Sequence, residues 1–158
     1  MSEFPHAGDA MPDIALEGAD GMPVRASDFR GRKLIVFFYP KDDTPGCTTE
    51  NIEFSAMAKA FAQTDTALLG VSKDSPAKHA KFAAKHSLTV PLASDALENG
   101  LADALGIWLM KSLYGRKFLG MERSTYLVDR DGTIARVWRK VKVNGHAAEV
   151  LEAARALA

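Results

Sequence analysis

The sequence predicts an α/β domain: a central mixed β-sheet with helices on both faces and an N-terminal hairpin extension. Three observations carry this. Segments rich in β-branched and aromatic residues alternate with segments of helical periodicity, and short turn sequences separate them. Near the end, two strand-like segments flank Asp129-Arg130-Asp131-Gly132, a turn that fits an antiparallel hairpin. The 158 residues, 47% hydrophobic and 25% charged, suit one domain over 1–158 with a sizeable core.

Taken in order, Asp13 to Leu16 and Met22 to Arg25 around the Gly18 to Gly21 turn read as the hairpin extension, and Ser27 to Gly31 as a helical turn. Leu34-Ile35-Val36-Phe37-Phe38-Tyr39 is a continuous apolar run, expected of a central strand covered on both faces. Thr44 then serves as N-cap and Pro45 takes the first helical position, where a missing N–H costs nothing. Phe54, Met57, Ala58 and Phe61 give this helix its core face. Ala67 to Ser72 is the next strand, and Ser75-Pro76 opens a helix to about His86. Val90 to Ala93 forms a short strand, and Ser94 or Asp95 caps a helix bearing Leu97, Leu101 and Leu105 that Gly106 stops. Ile107 to Glu122 mixes apolar and basic residues and reads as a partly apolar loop. Thr125 to Val128 and Thr133 to Val141 form the late hairpin, and a last helix from about Gly145 buries Val150, Leu151, Ala154 and Leu157.

Twenty basic and twenty acidic residues cancel, so no overall charge draws the chain to nucleic acid or to a membrane. No run reaches the roughly 18 apolar residues of a membrane span, and the start Met1 to His6 lacks the pattern of a secretory signal, so a soluble cytoplasmic protein is expected. Cys47 is the only cysteine. It therefore closes no disulfide within the chain and offers no Cys-x-x-Cys exchange pair. His6, His79, His86 and His146 show no zinc-binding spacing, so no metal is expected.

Cys47 falls in the first turn of the helix opened by Pro45. A thiol there is biased toward thiolate, because unpaired backbone N–H groups and the helix dipole favour negative charge. Alone, a free cysteine reads as a small buried hydrophobe. Its neighbours change that reading.

The stretch from Phe38 to Glu50, with Pro40, Thr44 and Cys47 in the pattern Pro-x-x-x-Thr-x-x-Cys, resembles the active-site signature of the peroxiredoxins in the form carried by the bacterioferritin-comigratory-protein (PrxQ) branch. Gly8 to Asp13, Ser27 to Gly31, Glu122 to Asp129 and Trp138 to Lys142 resemble that branch as well, so the likeness runs end to end. The resemblance implies a thioredoxin-like fold and a thiol-dependent peroxidase without metal, flavin or haem, in which the Cys47 thiolate attacks a hydroperoxide and becomes a sulfenic acid. An unperturbed thiol, with a pKa of about 8.5, would be only slightly ionised at neutral pH, and a guanidinium is suited to assist it. By family correspondence that residue is Arg123, with Thr44 and the N–H groups of Gly46 and Cys47 on the peroxide, Pro40 shielding the sulfur, and Glu50 holding the arginine.

Many members of this branch carry a second, resolving cysteine; here Ile52 occupies one of its usual places and Ala83 or Ala84 the other. A 1-Cys mechanism follows, completed by an outside thiol such as thioredoxin, glutaredoxin or glutathione. The resemblance implies a monomer, with a dimer as the alternative. The rival function is peroxide sensing or a holdase role in which Cys47 oxidation is a switch, and a non-catalytic adaptor is a third. The apolar residues of Ile107 to Glu122 are expected to border the pocket and admit organic hydroperoxides. Trp108 and Trp138 read as core or pocket-wall residues.

Overall fold

The apolar run after Arg32 serves two cores at once. In the computed structural model, which describes residues 4–96 and 99–158, strand β3 (Lys33–Phe38) sends Leu34, Val36 and Phe38 to one apolar cluster. Ile35, Phe37 and then Tyr39 go to the other. The strict period of two hides inside a continuous run because both faces of this strand are covered.

Around it, among the described residues, the sheet has seven strands in the order β2 (Pro23–Val24), β1 (Leu16–Gly18), β5 (Leu92–Ser94), β4 (Thr66–Ser72), β3, β8 (Ser124–Val128) and β9 (Ile134–Trp138). Parallel pairing joins β3 to β4 (Thr66–Ser72) and β4 to β5 (Leu92–Ser94). Antiparallel pairing adds β8 (Ser124–Val128) beside β3 and β9 (Ile134–Trp138) beyond it. The N-terminal hairpin, β1 (Leu16–Gly18) with β2 (Pro23–Val24), lies closer to its turn than expected, because β1 also pairs with β5 through Glu17↔Ser94 and Gly18↔Ala93. It forms the sheet's far edge.

Helices α1 (Pro45–Ala56), α2 (Ala58–Gln63), α3 (Pro76–His86) and α5 (His146–Ala156) cover one face through Phe54, Phe61, Phe82 and Val150. On the other face lies α4 (Leu101–Leu105), held at its start by Asp95, whose carboxylate accepts from the Leu101 and Ala102 N–H groups. The expected helix residue Leu97, like Met1 to Glu3, lies outside the described residues. The single long helix expected after Thr44 divides at Met57, which ends α1 with φ −97° and ψ 2° and precedes α2.

Phe37 stacks on Phe54 with ring centroids 4.3 Å apart, fastening α1 to the central strand. Gly70 makes room beneath: a Cβ there would stand 2.8 Å from Phe37 Cζ and 2.9 Å from Leu92 Cδ2. Each fully buried side chain of this size contributes about 1.5–3 kcal/mol.

One expectation is overturned. Ile107 to Glu122 is no loop: β6 (Trp108–Leu113) and β7 (Arg116–Met121) form an antiparallel hairpin, a second sheet of two strands. Its apolar and basic residues occur on both faces, so no polar–apolar alternation marks it in the sequence.

Candidate active site

Local sequence sets the thiol's position. Strand β3 ends at Phe38, Pro40 can donate no backbone hydrogen bond, and Pro45 starts α1 two residues before Cys47. Cys47 is only 1% exposed and belongs to the cluster containing Phe37 and Phe54. The first N–H groups of α1 have no acceptor within the helix, so the end bearing the sulfur favours negative charge.

Arg123 comes from the other side, one residue before β8. Its Nη2 donates to Cys47 Sγ at 3.4 Å and its Nη1 to Glu50 Oε1 at 2.5 Å. Burial opposes the guanidinium's charge, but the neighbouring Glu50 and Cys47 outweigh it and hold its pKa above the ordinary arginine value. Glu50 is itself buried, and that burial pushes its carboxyl up to about 7 although Arg123 pulls the other way. Its Oε2 has no hydrogen-bond partner among the described residues, so a proton on this carboxyl belongs there.

The chain holds Arg123 from behind. Val141 N–H donates to its carbonyl at 2.9 Å, and its neighbour Glu122 is engaged by Arg139 and by the Ser124 hydroxyl at 3.2 Å. The Trp138 to Lys142 segment thus acts on the site through Arg123. Trp138 is half-buried against His146, at 5.9 Å between rings, and Trp108 is half-buried with Lys73 over its face.

Cys47, Arg123 and Glu50 are therefore brought into direct contact, and Gly46 lies beside them: a Cβ on Gly46 would come 3.2 Å from Arg123 Nη2. Thr44 differs from expectation. It takes the N-cap position with extended backbone, but its side chain makes no cap hydrogen bond; the hydroxyl donates to the Lys41 carbonyl at 2.8 Å. The closed Lys41–Thr44 turn offers a geometric reason, and it leaves the hydroxyl's lone pairs available to accept. Pro40 is half-buried at the end of the central strand.

Sequence reasoning missed the support beneath this loop. Asp42 is buried and accepts from Tyr39 Oη at 2.6 Å, while its other oxygen lies 2.7 Å from His79 Nδ1. Its backbone N–H donates to Asp74 at 2.7 Å. The loop between β3 and α1 is thereby tied to α3 and to the end of β4. Asn51 was also missed; its side chain is buried and donates to the Cys47 carbonyl at 2.9 Å. For Asn51 the sequence signal is a polar residue spaced with Cys47 and Phe54 on the buried face of α1; Asp42, in a loop, carries none.

A thiol under a guanidinium, at a helix start on a thioredoxin-like sheet, fits a class of redox enzyme in which a cysteine sulfur is the reacting atom. The AhpC/TSA family model matches residues 7–137. The chain is 45% identical to peroxiredoxin Bcp of Bacillus subtilis (strain 168) over 92% of each chain, and 35% identical to that of Escherichia coli (strain K12) over 89% of each. Among solved structures, peroxiredoxin Q of Xanthomonas campestris matches with TM-score 0.88 and 40% identity, covering 95% of this chain and 97% of that one. A PrxQ mutant of Xylella fastidiosa matches with TM-score 0.91 and 36% identity over 98% of each. This chain belongs to the AhpC/TSA family, among the Bcp/PrxQ peroxiredoxins, and is a thiol-dependent peroxidase. Two solved forms of the Xanthomonas protein carry serine in place of one or other of two cysteines, whereas Cys47 is alone here.

Proposed function

We propose that the domain 1–158 reduces hydroperoxides through Cys47 and is recycled by an external thiol. The Cys47 thiolate attacks the terminal oxygen of ROOH; the O–O bond breaks, a sulfur–oxygen bond forms, and RO⁻ leaves to take up a proton as the alcohol or water. A first reductant thiol then displaces water from the sulfenic acid and forms a mixed disulfide. A second thiol releases Cys47 and carries away the oxidised reductant. Thioredoxin, glutaredoxin and glutathione all supply such thiols, and the cytoplasm keeps them reduced.

Arg123 carries this reading, because one guanidinium reaches both the sulfur at 3.4 Å and the Glu50 carboxyl that orients it. It holds the thiolate and the negative charge that grows on the peroxide oxygens as their bond stretches. The Gly46 and Cys47 N–H groups and Thr44 position the peroxide, and Pro40 limits water near the sulfur. Organic hydroperoxides are proposed substrates alongside hydrogen peroxide. Supporting this, solved structures of the Xanthomonas bacterioferritin comigratory protein concern its alkyl peroxide reduction activity, and the buried Met121 ends β7 two residues before Arg123. The match to named peroxiredoxins favours turnover over a sensing or holdase role.

Replacing Cys47 by Ser is expected to abolish peroxide consumption with every thiol. Turnover retained in that variant would remove the sulfur from the mechanism. A kcat/KM for tert-butyl or cumene hydroperoxide many orders below that for hydrogen peroxide would remove the organic substrates.

A further inference from the structure

Six of the nine exposed large apolar side chains among the described residues lie on one hairpin: Leu109, Met110, Leu113, Tyr114, Phe118 and Leu119. The same segment carries Lys111, half-buried with its Nζ donating to the Met121 carbonyl at 2.6 Å, the exposed Arg116 and Lys117 beside the turn, and no carboxylate from Ile107 to Met121. The chain's zero net charge conceals this local excess of three cations. Exposed apolar area so concentrated marks an interaction surface.

The placement of these residues narrows the partner. In the β6–β7 register Met110 faces Leu119 and Ser112 faces Lys117 on one side of the ribbon; Lys111 faces Phe118 and Leu113 faces Arg116 on the other. Apolar and basic groups thus stand on both faces, and Tyr114 projects from the tip 96% exposed. A protein groove covers one face of a ribbon and leaves the other in water. A fluid apolar layer with an anionic boundary surrounds both, taking the apolar tip inward while the long cationic side chains reach back to the charged surface.

The turn itself gives an independent observation. Tyr114 and Gly115 form a two-residue connection with φ of 51° and 78°. Asn, Asp or Gly suit the first of these positions, whereas a bulky side chain there is strained. An aromatic ring stands where the backbone disfavours it and where it touches solvent, a pattern associated with function.

We infer that the β6–β7 hairpin docks this protein on anionic phospholipid bilayers by inserting its Leu113–Tyr114 tip. This goes beyond the peroxidase reading and does not rest on it, since docking needs neither Cys47 nor peroxide. Because β7 runs from the tip to Met121 with only Glu122 before Arg123, a docked hairpin tethers the thiol site one strand length, roughly 20 Å, from the inserted tip.

Sedimentation with vesicles tests this on the full chain. The wild type is expected to bind phosphatidylcholine–phosphatidylglycerol vesicles far better than phosphatidylcholine alone, with affinity falling as salt rises. Tyr114→Asn relieves the turn, so it is expected to match or exceed wild-type thermal stability while losing roughly tenfold in vesicle affinity. Leu113→Ser combined with Tyr114→Asn should lose more, with hydrogen peroxide turnover in solution unchanged. Absence of binding to the anionic vesicles would overturn the inference. So would binding that survives both tip variants and disappears only on reversing Lys111, Arg116 and Lys117, which would mark a surface for an acidic soluble partner. Wild-type dimers that the tip variants dissociate would assign the hairpin to a second copy of this chain instead.

Discussion

Gly46 seats the guanidinium of Arg123: a side chain as small as methyl at position 46 would stand 3.2 Å from Arg123 Nη2, the atom that donates to Cys47 Sγ. That distance is tighter than ordinary contact, so the arginine must give way. Gly46→Ala is expected to slow peroxide attack by roughly tenfold, about 1.4 kcal/mol of barrier. Helix propensity favours alanine, so thermal stability should hold or rise. Stopped-flow rates beside a melting curve check both halves. An unchanged rate would show that the guanidinium's seat is not limiting.

Arg123 donates to two groups, Cys47 Sγ and Glu50 Oε1, and substitutions separate the two contacts. Arg123→Ala removes the donor to the sulfur and leaves Glu50 buried without its partner, so attack should slow by orders of magnitude and stability should also drop. Arg123→Lys keeps the charge but lacks the planar fork that spans Cys47 and Glu50, and should recover only part of the rate. Glu50→Gln retains shape and an acceptor, and its loss should be the mildest of the three. A lysine variant as fast as wild type would mean that charge alone suffices.

Stability should depend on pH through two buried groups of opposite sign. Glu50 ionises at about 7 in the fold against 4.5 unfolded, because burial disfavours its anion. Between those values the unfolded chain has released a proton that the fold retains, so this contribution falls as pH rises and is level above 7. His146 is lowered from 6.5 to about 4 by burial, so its contribution falls as pH drops from 6.5 toward 4. Each is worth at most about 3 kcal/mol, and they offset where the windows overlap. Glu50→Gln should therefore expose a melting temperature that climbs from pH 4 to pH 6.5, and His146→Gln one that declines from pH 4.5 to pH 7. Identical profiles for wild type and both variants would contradict the assignment.

The loop under Thr44 stands on Asp42, and the Asp42–His79 contact at 2.7 Å is buried on both sides. His79→Ala leaves Asp42 without one of its partners and opens space beneath the loop, at a cost of about 1–3 kcal/mol. Hydrogen exchange should accelerate in the loop between β3 and α1 as well as in α3. Acceleration confined to α3 would show that the loop does not depend on this tie.

The order of strands and helices was legible because turns and periodicity agree along most of the chain. Cys47 stood out as the lone thiol in the first turn of a helix, whereas Arg123 and Glu50 were legible only through family resemblance, since nothing local to Arg123 distinguishes it from a surface cation. The β6–β7 hairpin was not legible: Met110, Lys111, Phe118 and Leu119 break the alternation by which a strand is recognised, because apolar and basic side chains stand on both faces of the ribbon. Asp42 and His79 were obscured differently. Their pairing joins a loop to a helix 37 positions away, and a carboxylate next to another at Asp43 looks like ordinary solvated charge.

Intact-protein mass spectrometry after one equivalent of hydrogen peroxide tests the central claim most directly. The account predicts a single adduct of one oxygen atom on Cys47, lost on adding thioredoxin or glutathione, with no disulfide-linked dimer. An unmodified protein, or an oxidised form that no thiol reverses, would contradict it.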